Sequence, residues 1–249
     1  MQLKLNTSLT AAALFYTLLS TSAQAAISLD RTRVIFDGSL KSVSLSISND
    51  NKQLPYLAQG WIEDAKGEKI TSPLTVLPPV QRLEPGAKSQ LKIQGLPAIS
   101  ALPQDRESLF YFNLREIPPR SEKSNTLQIA LQTRIKMFYR PKALLQETSA
   151  TPWQESMTLT KVGDRYRVNN PTGYFIILID GRRSQKETSV AGFEPLMIEP
   201  HGQAMLKSTA SALGSAPVLS YINDYGGRPL LQFSCNGSEC SAKSVKENS

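Results

Sequence analysis

Apolar and polar residues alternate over short stretches along most of this chain, and turn-forming residues separate the stretches. A period of two residues is typical of β-strands that bury one face. The clearest stretch covers residues 127–140, where Leu127, Ile129 and Leu131 fall on one face and polar or small residues on the other. Such a strand belongs either to a core or to a sheet edge that offers apolar side chains to another extended chain.

The same pattern predicts about thirteen strands, with turn signals such as Asp37-Gly38 and Gly163-Asp164 between many of them. Long helical periodicity is missing from the pattern. We therefore predict an all-β protein built from two β-sandwiches of about seven strands each. The predicted strands are 33–36, 42–48, 57–63, 90–93, 109–115, 126–139, 157–162, 166–169, 174–180, 195–198, 203–207, 219–223 and 230–235.

A weak internal repeat supports two domains. Residues 48–50 (SND) and 169–171 (NNP) each precede an aromatic strand, and Glu84-Pro85 and Glu199-Pro200 each precede a further strand. Because proline cannot continue a strand ladder, Pro141 begins the predicted linker. The predicted organisation is an N-terminal domain at 26–140, a linker at 141–152 and a C-terminal domain at 153–249. Chance similarity between two turn-rich β segments is the alternative.

Residues 1–25 have the pattern of a signal peptide. Lys4 precedes an apolar run at residues 9–19, and Ala23-Gln24-Ala25 is a small-x-small cleavage pattern. The run is about 11 residues long, too short to span a bilayer comfortably. We predict export to the periplasm and cleavage after Ala25, with an N-terminal membrane anchor as the alternative.

The net charge of +7 favours acidic partners, although a solvated basic surface would have the same composition. Nucleic acid is not an expected partner, because the protein is predicted to be exported. The chain also shows no interleaving of basic and aromatic residues of the kind that single-strand binders use.

Cys235 and Cys240 flank the turn signal Asn236-Gly237, so they are expected to face each other across a hairpin. In an exported protein such a pair predicts a disulfide. A metal site would need further ligands, and the single histidine of the chain is His201. No metal and no cofactor are expected.

Catalytic motifs are not found in the sequence. His201 occupies a Pro-His-Gly turn without an obvious nucleophile as partner, and the chain has no phosphate-binding glycine loop and no HExxH motif. We predict that the protein is not an enzyme. An exported hydrolase that uses dispersed carboxylates is the lowest-ranked alternative.

Residues 102–119 (LPQDRESLFYFNLREIPP) resemble the signature of the periplasmic pilus chaperones. Further blocks share the resemblance: SLDRTR at 28–33, SNDNKQLPYLAQ at 48–59, PPVQRL at 78–83 and YINDYGGRP at 221–229. It implies two immunoglobulin-like sandwiches set at an angle with a cleft between them. It also implies a chaperone that binds pilus subunits (pilins, tip subunits and adhesins) by donor-strand complementation and delivers them to an outer-membrane usher. A structural pilin or adhesin with two sandwiches is the alternative.

The resemblance also assigns roles to residues. Leu127, Ile129 and Leu131 would insert into a groove of the subunit, and Arg33 with Lys136 would anchor its C-terminal carboxylate. Lys136 is an even position and the three aliphatic residues are odd. A regular strand would put them on opposite faces, so a bulge, a strong twist or a cleft that wraps the strand is expected.

Glu107, Arg140 and Asp224 match the family's charge cluster between the domains, which would set the interdomain angle. The row of exposed aliphatic residues would favour aggregation, so a self-capping homodimer is expected as a possible state of the free protein.

Overall fold

The computed structural model describes residues 25–123, 125–146 and 151–245, and these form eighteen strands. Ten belong to the first domain: β1 (Ile27–Leu29), β2 (Arg33–Asp37), β3 (Ser42–Asn49), β4 (Tyr56–Glu63), β5 (Lys69–Ile70), β6 (Leu74–Leu77), β7 (Val80–Leu83), β8 (Lys88–Gly95), β9 (Ser108–Ile117) and β10 (Gln132–Arg140). Eight belong to the second: β11 (Thr158–Val162), β12 (Arg165–Asn169), β13 (Ile176–Arg182), β14 (Leu196–Ile198), β15 (Gln203–Thr209), β16 (Val218–Tyr221), β17 (Leu230–Asn236) and β18 (Glu239–Ser244). Short helices lie at Pro97–Ala101, Lys142–Leu144, Trp153–Ser156 and Ala210–Leu213.

The first domain is a sandwich of two sheets. One sheet has the order β1-β3-β8-β6, and the other has the order β2-β10-β9-β4-β5 with β7 paired to β4. Alternate residues of both sheets point inward, so Leu45 and Leu91 of the first sheet share a core with Phe112 and Met137 of the second. Burial of these alternating apolar residues is the main favourable term that holds the two layers together.

The second domain is one continuous sheet with the order β14-β13-β16-β17-β18-β11-β12-β15. Its apolar residues form a single buried cluster, in which Leu178 and Phe233 of one half meet Val168 and Leu206 of the other. The sheet therefore folds over on itself and encloses its own core. The all-β prediction with two sandwich domains is confirmed.

All thirteen predicted strands are present, and five more were not predicted: β1, β5, β6, β7 and β18. These five are short, edge-lying or polar, so their alternation is weak. The strand predicted at 126–139 begins at Gln132, because residues 127–131 have no ladder of backbone hydrogen bonds beside them. The predicted boundaries of the domains and the linker stay predictions.

The internal repeat has a structural cause. In the first domain the buried Asn49 side chain donates to the carbonyls of Leu83 and Glu84, at 3.1 Å each. In the second domain Asn170 makes the equivalent bond to the carbonyl of Glu199, at 2.9 Å. Each asparagine thus ties its own turn to the Glu-Pro turn of the same domain and satisfies backbone groups that burial would otherwise leave unpaired.

The predicted disulfide is present between Cys235 and Cys240, which lie directly opposite each other on β17 and β18. The two-residue loop of this hairpin is Gly237-Ser238, one position later than the turn signal indicated, and Gly237 takes the positive φ of 63°. The predicted signal peptide lies outside the described residues except for Ala25. Within the described part of the chain no helix is long and apolar enough to cross a membrane.

Candidate functional site

Strand β10 has different neighbours along its length. From Lys136 to Tyr139 it lies between the parallel strand β2 and the antiparallel strand β9. From Gln132 to Ile135 it pairs with β9 alone among the described strands, because β2 begins only at Arg33, opposite Lys136. One side of the first half of β10 is therefore an open sheet edge.

The open edge continues backwards into an exposed apolar row. Leu127, Ile129 and Leu131 are 84%, 65% and 39% exposed. The segment is held at its end, where the amide of Glu116 donates to the carbonyl of Leu131 at 3.0 Å. Single exposed aliphatic residues are ordinary on protein surfaces, but a row of three beside unpaired backbone is typical of a binding surface.

Arg33 and Lys136 meet where the open edge ends. They are direct partners in the register of β2 and β10, so their side chains leave the sheet side by side. Both lie in a cleft of about 330 Å³ that receives Thr32 and Tyr111 from the first domain and Arg228 from the second. The predicted pair of cleft cations is thus brought together between the two domains.

Close packing of the second domain shapes this cleft. Gly226 takes a φ of 84°, and a Cβ added to it would lie 2.5 Å from Oγ1 of Thr32. A side chain at this position would push the turn away from the strand that begins at Arg33. The glycine is therefore required for the present width of the cleft.

The two cations have no anionic partner in the described structure. Neither belongs to an ion pair among the described residues, and Nε of Arg33 is buried without a hydrogen bond. Burial lowers the pKa of Lys136, and the nearby charges of Arg33 and Arg134 lower it further. Burial also lowers the pKa of Arg33, and the charges of Asp224 and Glu107 oppose this shift. An anion in the cleft would relieve this repulsion.

Arg134 lies on the same face of β10 as Lys136, but its guanidinium already has partners within the chain. Its Nε donates to Glu63 at 2.8 Å, and its guanidinium lies 3.4 Å from the ring centre of Tyr111. The residue was not predicted as part of the site. Its even position, two residues before Lys136, was the available signal.

The opposite end of β10 carries the second charge cluster. Arg140 donates from Nε to Glu107 at 2.8 Å and from Nη1 and Nη2 to Asp224 at 2.6 and 2.9 Å. Glu107 also accepts from the amide of Phe175 at 2.8 Å. The predicted trio is therefore in contact, and it links the residue before β9 and the end of β10 to the second domain.

Burial strongly affects these charges. It raises the pKa of Glu107, although the charge of Arg140 and the Phe175 amide oppose the shift. Burial disfavours the charged form of Arg140, but hydrogen bonds to Asp224 and the charge of Glu107 outweigh it and raise its pKa. The fork of the guanidinium satisfies two carboxylates at once, which is the arrangement that makes a buried charge tolerable.

Aromatic rings around this cluster were not predicted. Trp153 stacks on Tyr174 with ring centres 4.3 Å apart, and the guanidinium of Arg140 lies 4.8 and 5.0 Å from these rings. Phe138 packs on Phe175 across the domain boundary at 5.3 Å. The even position of Phe138 was a signal, because it shares a face with Lys136 and Arg140.

Of the three alternatives, a bulge, a strong twist or a cleft that wraps the strand, the bulge is not present between Gln132 and Tyr139. The register of β10 with β9 runs without a shift from Gln132 to Tyr139. Ile135, Met137 and Tyr139 pack on the first domain's core, whereas Lys136 points to the cleft. The strand is regular because an inserted residue would turn these core residues outward. The apolar row and the cations are instead joined by the open edge, which both of them border.

These features define a two-sandwich β protein with an open sheet edge that ends at a basic interdomain cleft. Residues 26–145 match the model of the pili and flagellar-assembly chaperone, PapD N-terminal domain, and residues 152–233 match that of the pili assembly chaperone PapD, C-terminal domain. The chain is 59% identical to the chaperone protein PapD of Escherichia coli over 225 residues, which cover 90% of this chain and 92% of the relative.

Solved structures give the same result. The CupB2 chaperone of Pseudomonas aeruginosa matches with a TM-score of 0.67 at 28% identity, covering 84% of this chain and 100% of that one. The SafB chaperone of Salmonella enterica, solved in complex with the SafA pilin, gives a match with a TM-score of 0.67 at 25% identity, covering 84% and 95%. This chain belongs to the pilus-assembly chaperone family.

Proposed function

We propose that this protein is a periplasmic chaperone that binds pilus subunits by lending them the open edge of β10. The observation that carries the proposal is the course of that edge, which begins at an exposed apolar row and ends at two cations that form no ion pair with the described residues. Pilins, tip subunits and adhesins are the proposed partners, and the outer-membrane usher would receive them. The proposed mechanism contains no catalytic step.

The geometry of the edge gives the direction of the bound strand. Strand β2 runs parallel to β10 and begins at Arg33, so a guest strand placed ahead of it would lie in line with β2. If the guest's C-terminal carboxylate is to reach Arg33 and Lys136, its chain must end where β2 begins. The guest strand therefore runs parallel to β10, which is the direction that β2 also takes.

The apolar row would supply most of the binding free energy. Full burial of a Leu or Ile side chain contributes about 1.5–3 kcal/mol, from which the cost of ordering both partners is subtracted. Because Leu127 and Ile129 are largely exposed and Leu131 is partly exposed in the free chain, their burial in a subunit groove would stabilise the complex.

The carboxylate anchor would set the register of the complex. A terminal carboxylate offers two oxygens for charge-assisted hydrogen bonds to Lys136 and Arg33. A slip of one residue along the edge would turn every guest side chain to the wrong face, so a fixed end point selects one register. The Glu107–Arg140–Asp224 cluster would hold the second domain in the position that keeps this cleft open.

The usher, the self-capping homodimer and export after cleavage at Ala25 belong to the same proposal. A homodimer would cover the apolar rows of two free chains until a subunit arrives. A structural pilin would share the sandwich architecture, but it would remain in the assembled fibre. The proposed chaperone is expected in the periplasm and absent from sheared pili.

The decisive experiment uses co-expression of the chain with a pilus subunit and purification from periplasm. A one-to-one complex is expected with the natural subunit. A subunit extended by two glycines at its C-terminus serves as the matched control and should lose most binding, because its carboxylate would overshoot Lys136. Equal recovery of both subunits would contradict the anchor, and accumulation of stable free subunits in a deletion strain would contradict the chaperone function.

A further inference from the structure

Glu116 has a carboxylate side chain at a position of β9 where the strand alternation predicts a buried apolar residue. It shares the inward face of β9 with Phe110, Phe112 and Leu114, and it is only 5% exposed. An ionised carboxylate at such a position is costly unless hydrogen bonds or a cation compensate it. The subunit-binding mechanism makes no use of this side chain.

The contacts of Glu116 point to the start of the folded chain. Its Oε2 accepts from the backbone nitrogen of Ala26 at 2.6 Å and from that of Ile27 at 2.9 Å. Glu116 belongs to no ion pair among the described residues. Two amide donors therefore converge on one buried carboxylate oxygen, and the described part of the chain places no cation in an ion pair with it.

The nitrogen of Ala26 is held firmly in this place. The carbonyl of Ala26 accepts from the amide of Asp50 at 2.7 Å, and β1 pairs with β3 from Ile27 onward. Beside the nitrogen lies a cavity of about 180 Å³, lined by Ala25, Asp50, Asn51, Tyr56 and Glu116. It is large enough for water molecules around an amino group.

We propose that Glu116 is the binding site for the α-ammonium group of Ala26, which is formed when the leader is removed. The inference rests on the predicted cleavage after Ala25. Hydrolysis of the peptide bond between Ala25 and Ala26 adds one water, leaves a carboxylate on Ala25, and turns the Ala26 amide into an amine that takes up a proton. The buried carboxylate then gains its cation at the position of an existing hydrogen bond.

Processing would thereby act on the binding edge. The same residue that holds the terminus through its side chain also donates its amide to the carbonyl of Leu131, at the end of the apolar row. The ion pair would stabilise this end of β9 only in the processed chain. A chain that still carries its leader lacks the cation and folds with a less stable N-terminal edge.

The sign of the pH dependence follows from the partner. An ammonium group that gains a carboxylate has a folded pKa above its unfolded value of about 7.7–8.0, so its stabilisation is fully present below that value and is lost as pH rises through the folded pKa. The titratable groups around the cavity are Glu116 from β9, Tyr56 from β4 and Asp50 from the turn after β3.

The test compares full mature chains with defined N-termini. One form begins with free Ala26, a second carries acetylated Ala26, which keeps the N–H donor and loses the charge, and a third retains Ala25. Urea unfolding at pH 6.5 is expected to give the free Ala26 form a folding constant about tenfold above the other two. In Glu116→Gln the three forms should be equal. Equal constants in the wild-type chain, or a difference that persists in the variant, would overturn the proposal.

A second measurement does not depend on how well the variant folds. Isotope-edited NMR of the wild-type chain should give the Ala26 amino group a pKa about one unit above that of an unfolded control. Hydrogen exchange of the Glu116 amide should be slower in the free Ala26 form than in the acetylated form. An unshifted amino group would refute the site. Sequencing of exported protein that finds another first residue would also refute it, while the subunit-binding proposal would stand.

Discussion

Two charge clusters lie on one face of the same strand, four residues apart, and they differ in what surrounds them. At Arg140 the guanidinium is buried, meets two carboxylates and lies beside two aromatic rings. At Lys136 two cations stand side by side without an anion among the described residues. The first cluster is complete within the chain, whereas the second is complete only when an anion enters.

The difference separates a structural role from a binding role. A satisfied buried cluster contributes little net stability, but loss of one member leaves an uncompensated charge. An unsatisfied cluster lowers the stability of the free protein. A bound anion removes this destabilisation. The two clusters cannot be distinguished by charge type or by strand position. They differ in the groups that the neighbouring strands and the second domain place around them.

The largest expected effect is on the free energy of unfolding, when the charge cluster at Arg140 is disrupted. Arg140→Ala leaves Glu107 buried without its cation, so the free energy of unfolding should fall by about 3–5 kcal/mol, measured by urea denaturation. Arg106→Ala is the matched control, because Arg106 pairs with Asp105 on the surface. It should leave the unfolding midpoint unchanged. A similar midpoint for both variants would show that the interdomain cluster is not structural.

Substitutions at Lys136 and Arg33 should weaken subunit binding without destabilising the fold. Lys136→Ala or Arg33→Ala is expected to weaken subunit binding by about 2–5 kcal/mol, because the terminal carboxylate loses a charged partner. Circular dichroism should match that of the parent, and the unfolding midpoint should not fall, because neither cation stabilises the free protein. Lys88→Ala, on the other sheet of the same domain, is the control. Undiminished binding by both cleft variants would rule out the carboxylate anchor.

The apolar row should contribute less per residue. Ile129→Ala removes three carbons from a side chain that the subunit would bury, so binding should weaken by about 2 kcal/mol at about 0.8 kcal/mol per CH₂. Stability should not change, since Ile129 is 65% exposed in the free chain. Gln128→Ala, on the opposite face of the segment, should bind normally. Equal losses in the two variants would contradict the assignment of faces.

The smallest effect concerns pH. Because burial, Arg33 and Arg134 lower the pKa of Lys136, its charge is lost at a lower pH than that of an ordinary lysine. Subunit affinity measured by titration calorimetry should therefore decline as pH rises through this lowered pKa. Lys136→Arg should flatten the alkaline decline, because arginine keeps its charge. An alkaline decline of the same size in that variant would assign it to another group.

Much of the fold could be predicted from the sequence, because strand periodicity and turn formation depend on residues close together in the chain. Alternation predicted thirteen of the strands, since a half-buried strand must alternate wherever it lies. Cys235 and Cys240 were predicted to pair because a turn signal lies between them. The strands β5 and β6 escaped notice, since a two-residue strand and a proline-flanked one have too few positions for a pattern.

The sequence alone determined which side chains of residues 127–140 share a face, because strand geometry fixes that periodicity whatever the surroundings. Only the tertiary structure decided that β2 begins opposite Lys136 and that the edge before it is open. It also decided that Glu116 meets the nitrogen of Ala26. These contacts join residues far apart in the chain, and their energies depend on burial and neighbouring charges that no local pattern records.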